Sequence, residues 1–258
     1  MIVVKWNIQP NIIAGSTGRK GGFSQPPFDS LNMALYLNDD ANSVIKNREK
    51  LAKELGIPLN QWIFPKLTHS DRWIKVSHDD ASKGAWDEQT SPWGFDAVYT
   101  NESHLVLAIG HADCIPILFS CPSRHLIGAL HTGWQGTVKQ ITEKFLQHWI
   151  IEEHCDPKDV FIYIGPAIRK HNFIVKQDVI EQVSLMNFDP SPYLENVDDT
   201  HTQMDLIGLN IEMMLRSGIP PVNITDTQLC TYDHSDDFFS YRRTKVTGRQ
   251  ISFIVLKQ

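Results

Sequence analysis

The most informative segment of the chain is Gly110-His111-Ala112-Asp113-Cys114-Ile115-Pro116, followed by the motif His131-Thr132-Gly133-Trp134-Gln135-Gly136. Two short apolar runs, residues 115–119 and 125–130, lie between Cys114 and His131. Runs of this length and composition are typical of buried strands. A strand, a turn and a returning strand would bring the two residues together. A thiolate and an imidazole that meet can hold a metal ion or form a nucleophile–base pair.

Composition indicates a globular protein. The chain has 258 residues, of which 41% are hydrophobic and 21% are charged, so it can bury one large core. We therefore expect a single domain over residues 1–258. The net charge of −6 disfavours a nucleic-acid partner. Because no uncharged apolar run approaches the ~18 residues that a membrane helix needs, we expect no membrane association either.

The cysteines indicate the compartment. Only four are present, unevenly spaced at positions 114, 121, 155 and 230. In a chain of this length they favour free or metal-bound thiols in a reducing environment over a disulfide framework. The first residues lack the charged head and apolar stretch of a signal peptide. We expect a cytoplasmic protein.

The periodicity of the chain predicts an α+β fold with mixed sheets. Asp40 and Gly56 flank a helix whose apolar residues lie on one face. The polar segment 77–94 is predicted to be a loop or lid. Helices are predicted over residues 41–55, 137–151, 179–186 and 206–215, and strands over 12–17, 62–64, 73–76, 97–100, 105–109, 115–119, 125–130, 160–164, 224–229 and 251–256.

Three residues have the position and the chemistry of metal ligands. His69, Cys114 and His131 each lie next to a predicted strand, which would give them a rigid mounting. Catalytic zinc sites commonly keep three protein ligands and leave the fourth position open. Their spacing matches no known zinc signature, and an isolated cysteine or histidine is more often structural. The residue types alone thus leave both interpretations open.

Other histidines compete for the same role. His111 could be a ligand in place of another histidine, or it could only form a hydrogen bond. The chain has no His-x-His pair, whereas multicopper oxidases build their trinuclear copper centre from such pairs, so a true laccase is disfavoured. Histidines in charged surroundings, which we expect at the surface, are His125, His148, His154 and His171.

Several arginines are candidates for binding an anion. Arg19 stands beside Gly21-Gly22, where a guanidinium and free backbone N–H groups would suit a phosphate or carboxylate. Arg242 follows Ser240-Tyr241 and offers a similar combination, and Arg48 lies in the predicted first helix. A solvated surface arginine is the alternative for each. The chain has no Walker loop, Rossmann glycine pattern or Gly-x-Ser-x-Gly elbow.

Taken together, these motifs resemble the YfiH/YlmD family, also called laccase-domain or polyphenol oxidase proteins and later described as purine nucleoside phosphorylases. The resemblance spans nearly the whole chain, and its most specific elements are Ala-Asp-Cys-x-Pro and His-x-Gly-Trp. The matching segments are residues 16–24, 31–32, 47–48, 112–116, 131–134, 164–168, 230–231, 240–243 and 248–249.

The resemblance implies a layered α/β/β/α domain and a metal held by His69, Cys114 and His131. The expected cofactor is Zn²⁺, with Cu²⁺ as the alternative. The implied activity is phosphorolysis of adenosine, inosine and methylthioadenosine, with adenosine deamination as a second reaction, so the expected partners are a purine nucleoside and phosphate. The fold is also similar to that of bacterial necrotizing-factor deamidases, which use a Cys–His pair.

The sequence departs from the family pattern in four places. Leu67 replaces a glutamine, His111 replaces a small residue, and Thr132 replaces an alanine. Gln135 replaces the arginine that usually follows Gly-Trp, which removes a positive charge. Phosphate affinity or substrate preference could therefore differ in this chain.

Three functions follow as hypotheses. The first is a zinc-dependent purine nucleoside phosphorylase. In it, Arg19, Arg48, Gln135 and Arg242 are the candidates for contacting substrate or phosphate, and Asp113 orients a ligand or carries a proton. The second is a metal-free hydrolase or deamidase with Cys114 as nucleophile and His131 as base. The third is a nucleoside-binding protein whose catalysis has weakened.

Overall fold

The computed structural model describes residues 2–257, which form fourteen strands and five helices longer than four residues. The strands are β1 (Ile2–Lys5), β2 (Ile12–Thr17), β3 (Trp62–Ile63), β4 (Trp73–Lys75), β5 (Ala97–Thr100), β6 (Val106–His111), β7 (Ile115–Cys121), β8 (Leu126–Thr132), β9 (Phe161–Ile164), β10 (Ile174–Lys176), β11 (Leu194–Asn196), β12 (His201–Met204), β13 (Ile224–Asp226) and β14 (Gln250–Leu256). The helices are α1 (Ala41–Leu55), α2 (Trp134–Val138), α3 (Ile141–Ile151), α4 (Gln177–Val183) and α5 (Leu206–Arg216).

Two large mixed sheets pack face to face. The five-stranded sheet has the order β1-β2-β14-β6-β3, and the six-stranded sheet has the order β13-β9-β7-β8-β5-β4. Between them lies a buried apolar layer to which the first sheet contributes Leu107 and Ile254 and the second contributes Leu118 and Ala129. Burying both inner faces in this way removes the largest apolar surface of the chain from water.

Helices cover the two outer faces of the sheets. Along β14, Phe253 points away from the sheet interface and packs in a cluster with Leu51 of α1, as the two-residue period of a strand requires. On the other side, Phe119 of β7 lies against Phe145 of α3, with ring centroids 5.2 Å apart, and against Trp149. The predicted α/β/β/α layering is confirmed.

Helix α1 begins and ends where its capping residues predict. The carboxylate of Asp40 accepts hydrogen bonds from the backbone N–H groups of Asn42 and Ser43, which satisfies donors that the first turn leaves unpaired. Gly56 adopts φ 68° and closes the helix with its backbone N–H. Burial of Leu51 then fixes which face of α1 meets the sheet.

Some predicted elements differ from the structure. The helix predicted over 137–151 is two helices, α2 and α3, separated at Gln140, which adopts φ 59°. Its apolar period continues across the break, so the pattern alone does not reveal it. The small sheet β10-β12-β11 was not predicted, because its strands have only three or four residues.

The segment 77–94 is a loop, but it is anchored to the body of the molecule. Ala85 is completely buried, and the backbone N–H of Phe64 donates to the carbonyl of Lys83. The guanidinium of Arg48 donates to the carbonyls of Gly84 and Ala85. These contacts argue against a freely moving lid at the middle of this segment.

The central hairpin predicted from the sequence is present. Strands β7 and β8 pair antiparallel, with Ile115 opposite Thr132 and Pro116 opposite His131. Cys114 therefore lies at the same end of the hairpin as His131. Across residues 2–257, none of the helices combines the length and the apolar character that crossing a bilayer requires.

Candidate metal centre and its cavities

Cys114 is held at the turn between the two large sheets. It follows β6 and directly precedes β7, and its neighbour Asp113 adopts the left-handed value φ 102°. Both carboxylate oxygens of Asp113 are occupied, since one accepts from the Thr231 hydroxyl at 2.7 Å and the other from the backbone N–H of Arg242 at 2.6 Å. These bonds support an unfavourable backbone conformation and so fix the direction of the thiol.

His69 reaches the same place from the loop between β3 and β4. Its backbone is left-handed, with φ 55°. The buried carboxylate of Asp96 accepts from the backbone N–H groups of Thr68, His69 and Ser70 at 3.1, 3.0 and 2.6 Å. Three such bonds to one charged group make this loop rigid without regular secondary structure.

The structure brings the three predicted ligands together. The ring nitrogens of His69 and His131 and the sulfur of Cys114 all lie within 4.8 Å of one another. The Cys114 Sγ to His69 Nε2 distance is 3.8 Å, and the two imidazole rings meet edge to face at 5.0 Å. One sulfur and two imidazole nitrogens fit zinc, and three ligands leave room for a fourth from solvent or substrate.

Gly133 makes this approach possible. A Cβ atom at this position would lie 2.8 Å from Sγ of Cys114 and 3.3 Å from Cδ2 of His69. Its φ of −94° is ordinary, so the glycine is required for space and not for backbone freedom. The Gly-Trp part of the motif thus follows from the crowding around the thiol.

Asp96 is the functional residue that the sequence reasoning missed. Its Oδ1 lies 3.0 Å from Nδ1 of His131, which leaves Nε2 of that ring to face the other two ligands. A carboxylate behind a metal-binding histidine fixes its orientation and tautomer. A signal was available, because Asp96 directly precedes β5 and the pairing of Ala97 with Leu130 places it opposite His131.

The three side chains are coupled electrostatically when no metal is bound. Burial would raise the pKa of Cys114, but the charge of His131 and hydrogen bonds from His131 and His69 lower it to about 6. Burial likewise opposes the charged form of His131, whereas Cys114 and Asp96 raise its pKa to about 9. The metal-free site therefore holds a thiolate–imidazolium pair near neutral pH.

Two cavities meet at His69 and Cys114, and His131 lines the larger of them. The larger, of about 630 Å³, includes His111, His131 and a wall of charged and aromatic residues. The smaller, of about 260 Å³, is bounded by Asp113, Arg242 and Lys245. Both volumes suit small-molecule ligands or parts of them. Residues that line both cavities are His69, Ala112, Cys114 and Tyr241.

The smaller cavity has cations with unused donors. Arg242 stacks on Phe173 at 5.0 Å and donates through one terminal nitrogen to the carbonyls of Asn172 and Ile174. Lys245 lies 4.4 Å from the centre of the Tyr241 ring. Since the only carboxylate that residues 2–257 contribute to its lining is that of Asp113, the two cations leave one positive charge in excess there.

The other predicted anion-binding residues lie elsewhere. Arg19 donates to the carbonyls of Asp29 and Ser235, and it pairs with the Asp29 carboxylate. Arg48 is buried, with its donors on the carbonyls of Met33, Gly84 and Ala85. Neither arginine lines either cavity. Gln135 is exposed on the first turn of α2 and also lies outside both.

His111 is not one of the three converging ligands. Its ring is buried, with Nε2 3.0 Å from the Ser252 hydroxyl, while its Nδ1 has no hydrogen-bond partner among residues 2–257. Burial, and then the nearby His131 and Arg249 charges, lower its pKa to about 3. A neutral imidazole therefore lines the larger cavity at physiological pH.

Comparison with known proteins identifies the family. Residues 13–257 match a family model described as multi-copper polyphenol oxidoreductase laccase. The purine nucleoside phosphorylase YlmD of Bacillus subtilis is 37% identical over 248 residues, which is 96% of this chain and 89% of that protein. Its namesake from Geobacillus stearothermophilus is 37% identical over 245 residues, covering 94% and 89%.

Solved structures agree with these matches. YfiH of Bacillus licheniformis superimposes with a TM-score of 0.94 at 36% identity, covering 95% of this chain and 93% of that one. YlmD of Geobacillus stearothermophilus gives 0.93 at 33% identity, covering both chains completely. On sequence and fold together, the protein belongs to the YfiH/YlmD family.

Proposed function

We propose that the protein is a zinc-dependent purine nucleoside phosphorylase that accepts adenosine, inosine and methylthioadenosine. The relatives that carry the name purine nucleoside phosphorylase support this activity. The observation that carries it in this chain is the meeting of two cavities at His69 and Cys114, the smaller of which is lined by Arg242 and Lys245. Two adjoining cavities can hold the two substrates of phosphorolysis, a nucleoside and phosphate, side by side.

The smaller cavity is the proposed phosphate site. Arg242 and Lys245 would neutralise the anion there and hold one of its oxygens toward the sugar. The nucleoside would occupy the larger cavity, with its base against Tyr36 and Tyr241. A phosphate oxygen then forms a bond to C1′ while the bond from C1′ to the purine nitrogen breaks, and the departing purine takes up a proton.

The remaining polar residues hold the site in place. Asp96 orients His131, and Asp113 fixes the turn that carries Cys114. A zinc ion held by His69, Cys114 and His131 would supply a Lewis acid and lower the pKa of a bound water, which is the chemistry that deamination of adenosine requires. We propose this deamination as a second activity of the same site.

Product analysis tests the proposal directly. Inosine incubated with the enzyme in phosphate buffer should yield hypoxanthine and ribose 1-phosphate in equal amounts, and neither should form in phosphate-free buffer. Adenosine should yield adenine in phosphate and inosine without it. Release of free ribose, or no turnover by the metal-replete enzyme, would contradict phosphorolysis. Binding of inosine without turnover would favour the weakened binding protein.

A thiol hydrolase is the second candidate, because the thiolate–imidazolium pair of Cys114 and His131 is what a cysteine nucleophile needs. Iodoacetamide distinguishes the two functions. A nucleophilic thiol is alkylated quickly as isolated and loses activity, whereas a metal-bound thiolate is protected until a chelator is added. We further propose a cytoplasmic location, since all four cysteines are unpaired.

A further inference from the structure

We propose that His171, Cys230 and Asp233 form a second metal site, outside the two cavities, that binds a thiophilic divalent cation such as zinc. A ring nitrogen, the sulfur and a carboxylate oxygen of these residues all lie within 4.8 Å of one another. Within residues 2–257, only this group and the His69–Cys114–His131 group bring three such donors so close together. Whether this second site binds a metal does not depend on the proposed phosphorylase activity.

The proposed site is buried at the cysteine and open to solvent at the other two ligands. Cys230 is only 3% exposed, while the side chains of His171 and Asp233 are 61% and 45% exposed. Nε2 of His171 lies 2.6 Å from Oδ2 of Asp233. An ion can therefore enter from solvent, bind the thiolate at the bottom and keep water as its fourth ligand.

A neighbouring amide organises the donors. The Nδ2 group of Asn172 donates to Sγ of Cys230 at 3.4 Å and to Oδ1 of Asp233 at 2.7 Å. Hydrogen bonds from neighbouring groups to the ligand atoms hold those atoms in the orientation that a metal needs. A simple surface His–Asp ion pair would require neither the buried thiol nor an amide shared between two donors.

The donor set selects the class of metal. Sulfur, imidazole nitrogen and a single carboxylate suit zinc and similar transition metals. Magnesium and calcium require a shell of oxygen atoms, and these three residues supply only carboxylate oxygens from Asp233. The proposed ion is therefore zinc-like, and its role involves no redox chemistry.

The position of the site indicates what a bound ion would do. Thr231, next to Cys230, holds Asp113 through its hydroxyl. The carbonyl of Asn172, next to His171, accepts from Arg242. A metal joining Cys230 to His171 would thus connect the two segments that support one wall of the smaller cavity. Its role would be to brace them.

The test removes the first site and looks for a second ion. A Cys114→Ala/His69→Ala variant dialysed against Co²⁺ should bind one ion per chain and show sulfur-to-cobalt charge-transfer absorption. Adding Cys230→Ser should abolish both signals. His201→Ala is the matched control, because it removes a surface histidine paired with Asp198 at 3.0 Å, and it should leave the cobalt bound.

Wild-type protein provides the second measurement in case the double variant does not fold. Zinc content should be two per chain, falling to one in Cys230→Ser. A folded double variant that binds no cobalt would overturn the second site, as would cobalt absorption that survives Cys230→Ser. One zinc with normal phosphorolysis would refute this site alone, whereas two zinc ions without phosphorolysis would refute only the proposed function.

Discussion

At the scale of single residues, the site depends on close contacts behind the ligand side chains. Gly133 permits the approach of Cys114 and His69, and a hydrogen bond to each oxygen of Asp113 holds the turn before the thiol. Each contact is short and directional, so small changes should alter metal binding before they alter the fold.

The first prediction concerns Gly133→Ala. The added methyl group would come within 2.8 Å of the Cys114 sulfur and push it away from its position beside His69, so zinc affinity should fall by at least about tenfold, or ~1.4 kcal/mol. Competition with a chromophoric chelator measures this affinity. Gly56→Ala is the control, because its strain lies at a helix end and should lower the melting temperature without changing zinc affinity. Unchanged affinity in Gly133→Ala would refute the packing argument.

The second prediction concerns the pH dependence of thiol reactivity. In metal-free protein the pKa of Cys114 is lowered to about 6, so its thiolate is lost only as the pH falls through that value. The rate of Cys114 alkylation, followed by mass spectrometry of its peptide, should rise with a midpoint near pH 6 and then level off. Denatured protein should show the ordinary midpoint of about 8.5. A native midpoint near 8.5 would contradict the coupling with His131.

At the scale of elements, neighbouring strands and loops supply the groups that hold the ligands. Asp96, at the start of β5, supports both the His69 loop and His131 of β8. Arg48 of α1 holds the loop 77–94 through two of its backbone carbonyls and lies 3.8 Å above the ring of Phe64. Substitution of Asp96 should therefore affect metal binding, and substitution of Arg48 should affect folding.

For Asp96→Asn, we expect zinc affinity to fall by about 10- to 100-fold, because the amide loses the charge that orients His131 and places N–H groups against existing donors. Isothermal titration of zinc into metal-free protein measures the change. The control is Asp71→Asn, which changes a half-buried carboxylate paired with Lys144 and should bind zinc normally. Equal affinity in the two variants would show that Asp96 has no role in orienting the ligand.

Arg48→Lys should affect stability, whereas Arg242→Ala should affect the KM for phosphate. Lysine cannot reproduce the planar fork of bonds that Arg48 makes, so this variant should lose about 2–3 kcal/mol of stability with an unchanged KM for phosphate. Arg242→Ala keeps the backbone N–H that holds Asp113 and should raise that KM about tenfold, with little loss of stability. Denaturant unfolding and steady-state kinetics measure both. A raised KM for phosphate in Arg48→Lys would show that Arg48 contributes to phosphate binding, contrary to this account.

The sequence predicted the elements with strong local signals. The caps of α1 and the hairpin of β7 and β8 are visible in the order of residues, and both are confirmed. Local sequence does not reveal the break at Gln140 or the short strands β10, β11 and β12, because tertiary contacts determine them. Arg19 and Arg48 appeared suited to phosphate, since a sequence does not reveal which guanidiniums are occupied by carbonyl groups.

At the scale of the whole molecule, two packed sheets with helices outside bring residues 69, 114 and 131 to one place. The motif around Cys114 and the resemblance to a family predicted this convergence. The carboxylate of Asp96 was not predicted, because its role depends on strand register, which links β5 to β8 across the sheet. The sequence motifs predicted the ligands, whereas the residue that orients them depends on long-range strand pairing.

The central claim is that His69, Cys114 and His131 bind one zinc ion at the meeting point of the two cavities. X-ray absorption at the zinc edge of a Cys230→Ser variant, which isolates this site, tests it most directly. We predict one sulfur at about 2.3 Å and two imidazole nitrogens at about 2.0–2.1 Å, with the sulfur signal lost on adding Cys114→Ala. A zinc shell without sulfur, or zinc that keeps its sulfur ligand after Cys114→Ala, would contradict the claim.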